Sequence, residues 1–321
     1  MNPAYSVIFL TTLIGAGQGL FLALFGAHLA GVADVDSGRT FILQAGSVAL
    51  LLTAAGLVAS FFHLGRPERA WRSATQWRTS WLSREVIALP VTMGAIALYA
   101  LINWLGIDAD LYGLGVHGQL ALSVGVFGVV ATIALFACTA MIYAAIKFLQ
   151  EWASPLTLAN YFLLGTASGF SFATAYAATA APDLTPFYGG WAITLTLAGL
   201  LSRAASLFRN ARIKQKSSVQ TAIGVRHNKV RQGAMGMMGG AYNTREYFHG
   251  RTLAFLKAVK WIFLILVFPL PVLLLWTGLM QNSADLLMLA FGVQYVGLLF
   301  ERWFFFAQAN HPQNLYYQVV G

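Results

Sequence analysis

Titratable and aromatic residues are concentrated in one short stretch of this sequence, from His63 to Glu85. The stretch contains five arginines, three tryptophans, one histidine and two glutamates. A histidine titrates near neutral pH and a carboxylate can accept the same proton, so His63 and Glu85 form a candidate pair for proton exchange. A second interpretation remains open, in which both side chains only pair with the neighbouring arginines.

The surroundings of this stretch suggest which molecule could exchange those protons. Apolar runs long enough to cross a bilayer lie on either side, which places His63 at the end of one membrane helix and Glu85 at the start of the next. Both side chains would then lie at the cytoplasmic membrane boundary. A quinone head group can reach that depth while its tail stays in lipid. Gly65 and Pro67 predict a short surface helix between the two membrane helices.

The composition indicates an integral membrane protein. Of the 321 residues, 58% are hydrophobic and only 10% are charged, whereas a soluble protein carries about 25% charged residues. We predict an all-α integral membrane protein, a bundle of eight transmembrane helices that forms a single membrane domain over residues 1–321. The eight apolar runs are Tyr5–Gly31, Thr40–His63, Arg84–Leu105, Gly115–Ile146, Leu158–Ala180, Phe187–Phe208, Leu256–Met280 and Asp285–Phe306.

The distribution of basic residues predicts the orientation in the membrane. In this eight-helix arrangement, 19 of the 20 lysines and arginines lie on one face, and only Arg39 lies on the other. The positive-inside rule therefore predicts that both termini are cytoplasmic, in a bacterial inner membrane. The connection over residues 203–260 is a basic cytoplasmic loop, which we expect to dock a soluble partner. Binding to anionic lipid is the alternative.

Polar residues elsewhere in the chain have less specific roles. Gln18 lies near the middle of the first helix, where its amide can bond to another helix or contact a ligand. Glu301 and Arg302 near the end of the last helix could pair with each other and do nothing more. Two pairs of glycines spaced four residues apart predict close helix packing, namely Gly15 with Gly19 and Gly165 with Gly169.

Metal and haem sites are not expected in this chain. The single Cys138 excludes a cysteine-ligated iron–sulfur cluster. Haem ligation by two histidines needs both rings in one cavity at a similar depth. The pair His28 and His117, at the predicted outer boundary, is the one possibility. We therefore predict neither haem nor a metal ligand set.

The second loop carries a resemblance to a known family. The segment that begins HLGRPERA and continues through a serine-rich turn to Glu85 resembles the membrane anchor subunit of DMSO reductase-type molybdoenzymes. Gln18 in its glycine setting and Arg302 near the end of the last helix are also similar to that family. Eight helices match as well, so the resemblance covers essentially the whole chain.

The resemblance implies a function and a set of partners. Such an anchor binds a quinone, ubiquinone or menaquinone, and exchanges electrons with it through a four-cluster iron–sulfur subunit that serves a molybdopterin catalytic subunit. The molybdopterin and the iron–sulfur clusters belong to the partner subunits, and the family lacks haem. His63 and Glu85 match the positions tied to quinone chemistry. The predicted quinone-binding residues are Gln18, His63, Arg66, Trp77, Trp81, Arg84, Glu85 and Arg302.

The predicted orientation distinguishes between branches of the family. DMSO reductase proper has its soluble subunits outside the cytoplasm, whereas the basic face of this chain is predicted to be inside. That arrangement, and the segment YNTREYFHG, are similar to the anchor of quinone-linked sulfite dehydrogenase. We therefore favour sulfite oxidation in the cytoplasm. A menaquinol-oxidising anchor of an S- or N-oxide reductase is the alternative.

A secondary transporter is a further alternative, from a different functional class. A transporter would show internal repeats and broken helices with charged residues near the membrane midplane. The sequence shows no repeat and no charged residue near the centre of a predicted helix. Both observations argue against transport.

Overall fold

A computed structural model gives the fold of the chain. It describes residues 1–32, 35–107, 118–214, 216–231, 233 and 246–316, with residues 35–38 described by their backbone only. Within these residues all regular structure is helical. The α-helices are α1 (Tyr5–Leu29), α2 (Val35–Phe61), α3 (Trp81–Leu105), α4 (Gln119–Ala144), α5 (Pro155–Ala180), α6 (Thr185–Ala211), α7 (Val219–Ile223), α8 (Leu253–Val267), α9 (Pro269–Gln281) and α10 (Ala284–Ala307).

Among the described residues, seven helical segments are long and apolar enough to cross a membrane. The segment at residues 253–281 combines α8 and α9, because the helix breaks at Phe268 immediately before Pro269. The remaining predicted segment, Leu158–Ala180, is helical as α5 but is not among these seven. It contains many serine, threonine and glycine residues, and more than half of its residues are buried between other helices.

Helix α1 lies at the centre of the bundle. Most of its residues are buried, and it packs most extensively against α2 and α5. The predicted glycine pairs meet at the contact with α5, where a Cβ atom added to Gly15 would lie 3.4 Å from the Cα of Gly165. A Cβ on Gly169 would overlap the backbone of Gly19. Only glycine allows the two backbones to approach this closely.

The connection between α2 and α3 forms a 3₁₀ helix over residues Pro67–Gln76, with proline in its first turn as predicted. The Ser80 hydroxyl caps α3 by accepting a hydrogen bond from the Ser83 amide at 3.4 Å. Glu68 lies in the first turn of this helix, with its Oε1 3.8 Å from Nε of Arg69.

The basic loop is shorter than its predicted bounds of 203–260. Helix α6 continues to Ala211 and α8 begins at Leu253, so the connection covers residues 212–252. Arg203 therefore belongs to α6, roughly 12 Å before its end at 1.5 Å per residue. Its side chain is fully buried, with 1% of its surface exposed. The assignment of Arg203 to a solvated loop is wrong.

Candidate functional site

A narrow cavity lies in the half of the bundle nearest the α2–α3 connection, between α1, α3, α4, α5 and α10. The space open to the centre of a water-sized sphere is about 20 Å³, and the walls are mostly apolar. The cavity is wide enough for water, so a ring-sized ligand can enter only if lining side chains move. Its polar lining residues are Thr11, Thr12, Gln18, Glu85, Thr139, Tyr161, Ser168 and Arg302.

Glu85 faces this cavity from α3. It is the fifth residue of the helix, one position beyond the first turn, and only 8% of its surface is exposed. The Thr139 hydroxyl on α4 donates a hydrogen bond to its Oε1 at 2.5 Å. The bonding partner of Glu85 is thus a threonine of a neighbouring helix, and not His63 or an arginine of the connecting loop. The carboxyl group therefore lies inside the bundle and not on its basic surface.

Gln18 contributes to the same cavity from α1. Its Nε2 donates to the backbone oxygen of Thr132 at 3.0 Å, and the residue is 1% exposed. This bond ties α1 to α4 across the bundle, which is the interhelical role that the sequence offered as one interpretation. Because Gln18 also lines the cavity, contact with a ligand remains a prediction.

Arg302 enters the cavity from α10 and belongs to a buried ion cluster. Its Nη1 lies 3.3 Å from Oε2 of Glu301, whose Oε1 lies 2.8 Å from Nε of Arg203. The three side chains are between 0% and 5% exposed. Glu301 and Arg302 pair as the sequence allowed, but Arg203 joins them from another helix.

Tyr161 on α5 connects the ion cluster to the cavity. The Arg302 guanidinium lies 3.8 Å from the centre of the Tyr161 ring, a cation–π contact. The Tyr161 hydroxyl is buried and has no hydrogen-bond partner among the described residues. An unpaired buried donor is costly and suits a ligand oxygen. We refer to Glu85, Thr139, Tyr161, Arg203, Glu301 and Arg302 as the buried polar cluster.

Three members of the cluster, Thr139, Tyr161 and Arg203, were missed by sequence reasoning. The signal for Arg203 was an arginine within the otherwise apolar segment LAGLLSRAASLF, where a charged residue needs a partner. No comparable signal marks Tyr161, because tyrosine is common in membrane helices. Only the spacing of the helices shows that its hydroxyl faces the cavity.

The remaining predicted quinone-binding residues lie outside the cavity. His63, Arg66 and Trp77 are exposed in this chain, and Trp81 and Arg84 are partly exposed. Arg84 donates to the backbone oxygens of Trp77 and Arg78 at 2.9 and 2.8 Å. The structure thus divides the predicted set: it brings Gln18, Glu85 and Arg302 together and leaves the others on the surface.

His63 lies just beyond the end of α2. Although the residue is exposed by surface area, neighbouring atoms remove part of the water around its imidazole and lower its pKa below the ordinary value of 6.5. The ring is therefore mainly neutral at pH 7. A neutral imidazole can accept a proton from water or a partner. The geometry is compatible with proton transfer at the surface but does not place His63 beside Glu85.

Of the histidine pair considered for haem, only His28 belongs to the described residues. Nδ1 of His28 lies 2.8 Å from the hydroxyl of Tyr99, and its ring packs near Phe25. His117 lies outside the described residues. Among the residues that are described, no group of three or more His, Cys, Asp or Glu side chains could hold a metal ion.

Comparisons with known proteins identify the family of this chain. A family model described as "DMSO reductase anchor subunit (DmsC)" matches residues 1–317. The chain is also 56% identical, over 325 aligned residues, to a subunit of the sulfite dehydrogenase of Allochromatium vinosum, and the alignment covers 100% of both chains. The chain belongs to the DMSO reductase anchor subunit family.

Proposed function

We propose that this chain is the quinone-reactive membrane anchor of a molybdopterin and iron–sulfur complex that oxidises sulfite in the cytoplasm. The observation that carries the proposal is the full-length identity of 56% to a sulfite dehydrogenase subunit. In the overall reaction, sulfite, water and quinone give sulfate and quinol. The two electrons pass from the catalytic subunit through the iron–sulfur subunit to the quinone bound by this chain.

The buried polar cluster supports the quinone part of the proposal. A quinone supplies two carbonyl oxygens that take up two electrons and two protons. Glu85, with one oxygen held by Thr139, is an ionisable group that can carry a proton inside the bundle. The unpaired hydroxyl of Tyr161 can donate to a carbonyl oxygen, and Arg302 provides a fixed positive charge.

The surface of the α2–α3 connection supports the docking part of the proposal. The side chains of Arg66, Arg69 and Arg72 are exposed. The aromatic rings of Trp71 and Trp77 in the same connection are exposed as well. Exposed aromatic and arginine side chains are enriched in protein interfaces. The iron–sulfur subunit would bind here, next to His63, and the molybdopterin subunit would be held through it.

The topology proposed with this function has eight membrane crossings and both termini in the cytoplasm. Helix α5 supplies the eighth crossing, because its polar residues are covered by neighbouring helices and not by lipid. Single cysteines at positions 2, 110, 245 and 318 test the topology by their reaction with a membrane-impermeant thiol reagent. Position 110 should react from outside and the other three only after lysis. External labelling of position 245 would overturn the orientation.

The activity is tested with the purified complex of three subunits. Sulfite should reduce a soluble quinone analogue at a rate that depends on the anchor, while reduction of an artificial dye should not need it. The family description also fits an S- or N-oxide reductase, which would instead oxidise a quinol analogue with dimethyl sulfoxide or an amine N-oxide. Oxide-dependent quinol oxidation without sulfite activity would replace the sulfite proposal with this alternative.

We also propose that this chain binds no haem, which an absorption spectrum can test. The reduced-minus-oxidised absorption spectrum of the purified chain should lack the α-band of a b-type haem. A stoichiometric band that disappears in His28→Ala would contradict the proposal and would identify that residue as a ligand.

A further inference from the structure

The ion cluster of Arg203, Glu301 and Arg302 is not electrically neutral. Two guanidinium groups and one carboxylate leave one positive charge, and all three side chains are buried. Burying a charge without a counter-charge is expensive, so an anion is expected within reach. Glu85 is the acidic residue among those lining the cavity that Arg302 enters.

We propose that the Arg203–Glu301 pair holds the Arg302 guanidinium as a fixed positive charge at the cavity, and that Glu85 is its exchangeable counter-anion. Arg203 and Glu301 are thus positioning residues. They act through Arg302, and Glu85 is the group whose protonation changes. The inference rests on the proposed function in one respect, namely that Glu85 passes its proton to a quinone.

The contacts show how the position of Arg302 is determined. Glu301 uses one carboxylate oxygen for each arginine, at 2.8 Å from Arg203 and 3.3 Å from Arg302. Arg203 is itself held between aromatic rings, with its guanidinium 5.4 Å from the ring centre of Phe263 and 5.9 Å from that of Phe304. Helix α6 therefore orients Glu301, and Glu301 orients Arg302 toward α5.

The charge of the cluster depends on the state of Glu85. With Glu85 ionised, two positive and two negative groups balance. With Glu85 protonated, the excess positive charge returns, and it favours release of that proton. A proton that reaches Glu85 is therefore passed on readily to an acceptor in the cavity.

Other titratable groups surround the cavity, and none of them is positioned to replace Glu85. Tyrosine and cysteine ordinarily titrate well above neutral pH, and arginine remains charged. Arg84 is occupied by two backbone oxygens and by the Trp81 ring. The groups concerned are Arg84 on α3, Cys138 and Tyr143 on α4, Tyr161 on α5 and Tyr295 on α10.

Infrared titration of the full-length chain in lipid nanodiscs, without added quinone, tests the proposal. The carbonyl stretch of a protonated carboxylic acid is assigned to Glu85 by its loss in Glu85→Gln, and its intensity is followed against pH. Arg302→Gln should move the midpoint to higher pH by about one unit, the lower end of the range for a nearby opposite charge, because the cation that favours the carboxylate is gone. Arg203→Gln should move it in the same direction by less.

The Glu301→Gln variant should shift the midpoint in the opposite direction from the two arginine variants. It removes a negative charge but keeps an oxygen for the arginines, so the midpoint of Glu85 should move to lower pH. The matched control is Arg209→Gln on the same helix as Arg203, since Arg209 bonds to the backbone oxygens of Gln150 and Ala153. This control should leave the midpoint unchanged.

Shifts of opposite sign for the arginine and glutamate variants support the proposal. If all variants shift the midpoint in one direction, the cluster acts only by holding the helices together, and the proposal fails. It also fails if no variant moves the midpoint. Because no quinone is present, these results do not depend on the quinone assay. Loss of quinone reduction with intact charge coupling would therefore count against the proposed function alone.

Discussion

Two regions of this protein are rich in arginine, yet they use it in different ways. In the surface segment, residues 63–80, the side chains of Arg72 and Arg78 lie over the adjacent tryptophan rings, at 5.5 and 5.4 Å from the ring centres, and remain largely in water. In the buried polar cluster, Arg203 and Arg302 share one carboxylate, and all three side chains are at most 5% exposed. The contacts of the surface segment are local, whereas those of the cluster join different helices.

The difference determines how each region should respond to substitution. Ion pairs in water typically contribute less than about 1 kcal/mol, because solvent replaces what is lost. A buried charge that loses its partner cannot be solvated in this way, and the cost is several times larger. Single substitutions should therefore have large effects in the cluster and small effects in the surface segment.

The largest expected effect is on quinone reduction. Glu85→Gln should lower quinone-coupled turnover of the complex by ~10²–10⁴-fold, since a general acid–base group is lost. Reduction of an artificial dye should be unchanged. The matched control is Glu68→Gln in the surface segment, which should retain parental turnover. Equal losses in both variants would remove the proposed distinction between the regions.

The next effect concerns stability. Glu301→Ala should lower the free energy of unfolding by about 3–5 kcal/mol, because two buried guanidinium groups lose their carboxylate. Glu68→Ala, which removes the exposed ion pair with Arg69 at 3.8 Å, should have no measurable effect. Unfolding of the chain in mixed micelles of increasing dodecyl sulfate content measures both values. A Glu301→Ala variant as stable as the parent would show that water reaches the cluster.

A smaller effect should follow from the helix spacing that holds the cluster together. Gly169→Ala should destabilise the chain by about 1–3 kcal/mol, because the new methyl group overlaps the α1 backbone at Gly19. Gly65→Ala is the control in the surface segment, since a Cβ there would meet no atom within 4 Å. The same micelle titration applies. If the two variants are equally stable, α1 and α5 do not pack through glycine.

The smallest effect concerns His63. Its pKa is lowered by burial from 6.5, so near that pH the unfolded chain binds more protons than the folded chain. The folded state should therefore lose a little stability as the pH falls through 6.5, and His63→Gln should remove this loss. Thermal unfolding of the complex at about pH 5 and about pH 7.5 measures the difference. An unchanged pH dependence in the variant would show that His63 is solvated alike in both states.

The prediction of the site from the sequence was correct for some residues and incomplete for others. Gln18 was selected as a polar side chain inside an apolar helix, Glu85 for its place at a helix end, and Arg302 by the family resemblance. All three line one cavity. His63 was paired with Glu85 because the two stand at neighbouring helix ends. The sequence could not show that Glu85 points inward, since a one-position change on a helix turns a side chain by about 100°.

The sequence by itself determined the helical class, the order of the membrane helices, the surface helix that begins at Pro67 and the glycines that allow close helix packing. These features depend on the length of apolar runs, on the backbone of proline and on the size of glycine, which are local properties. Only the tertiary structure decided that Arg203 shares Glu301 with Arg302 and that Tyr161 joins them to the cavity of Glu85. Those contacts join residues far apart in the chain, and they depend on how each helix is rotated about its axis, which packing against several neighbours sets at once.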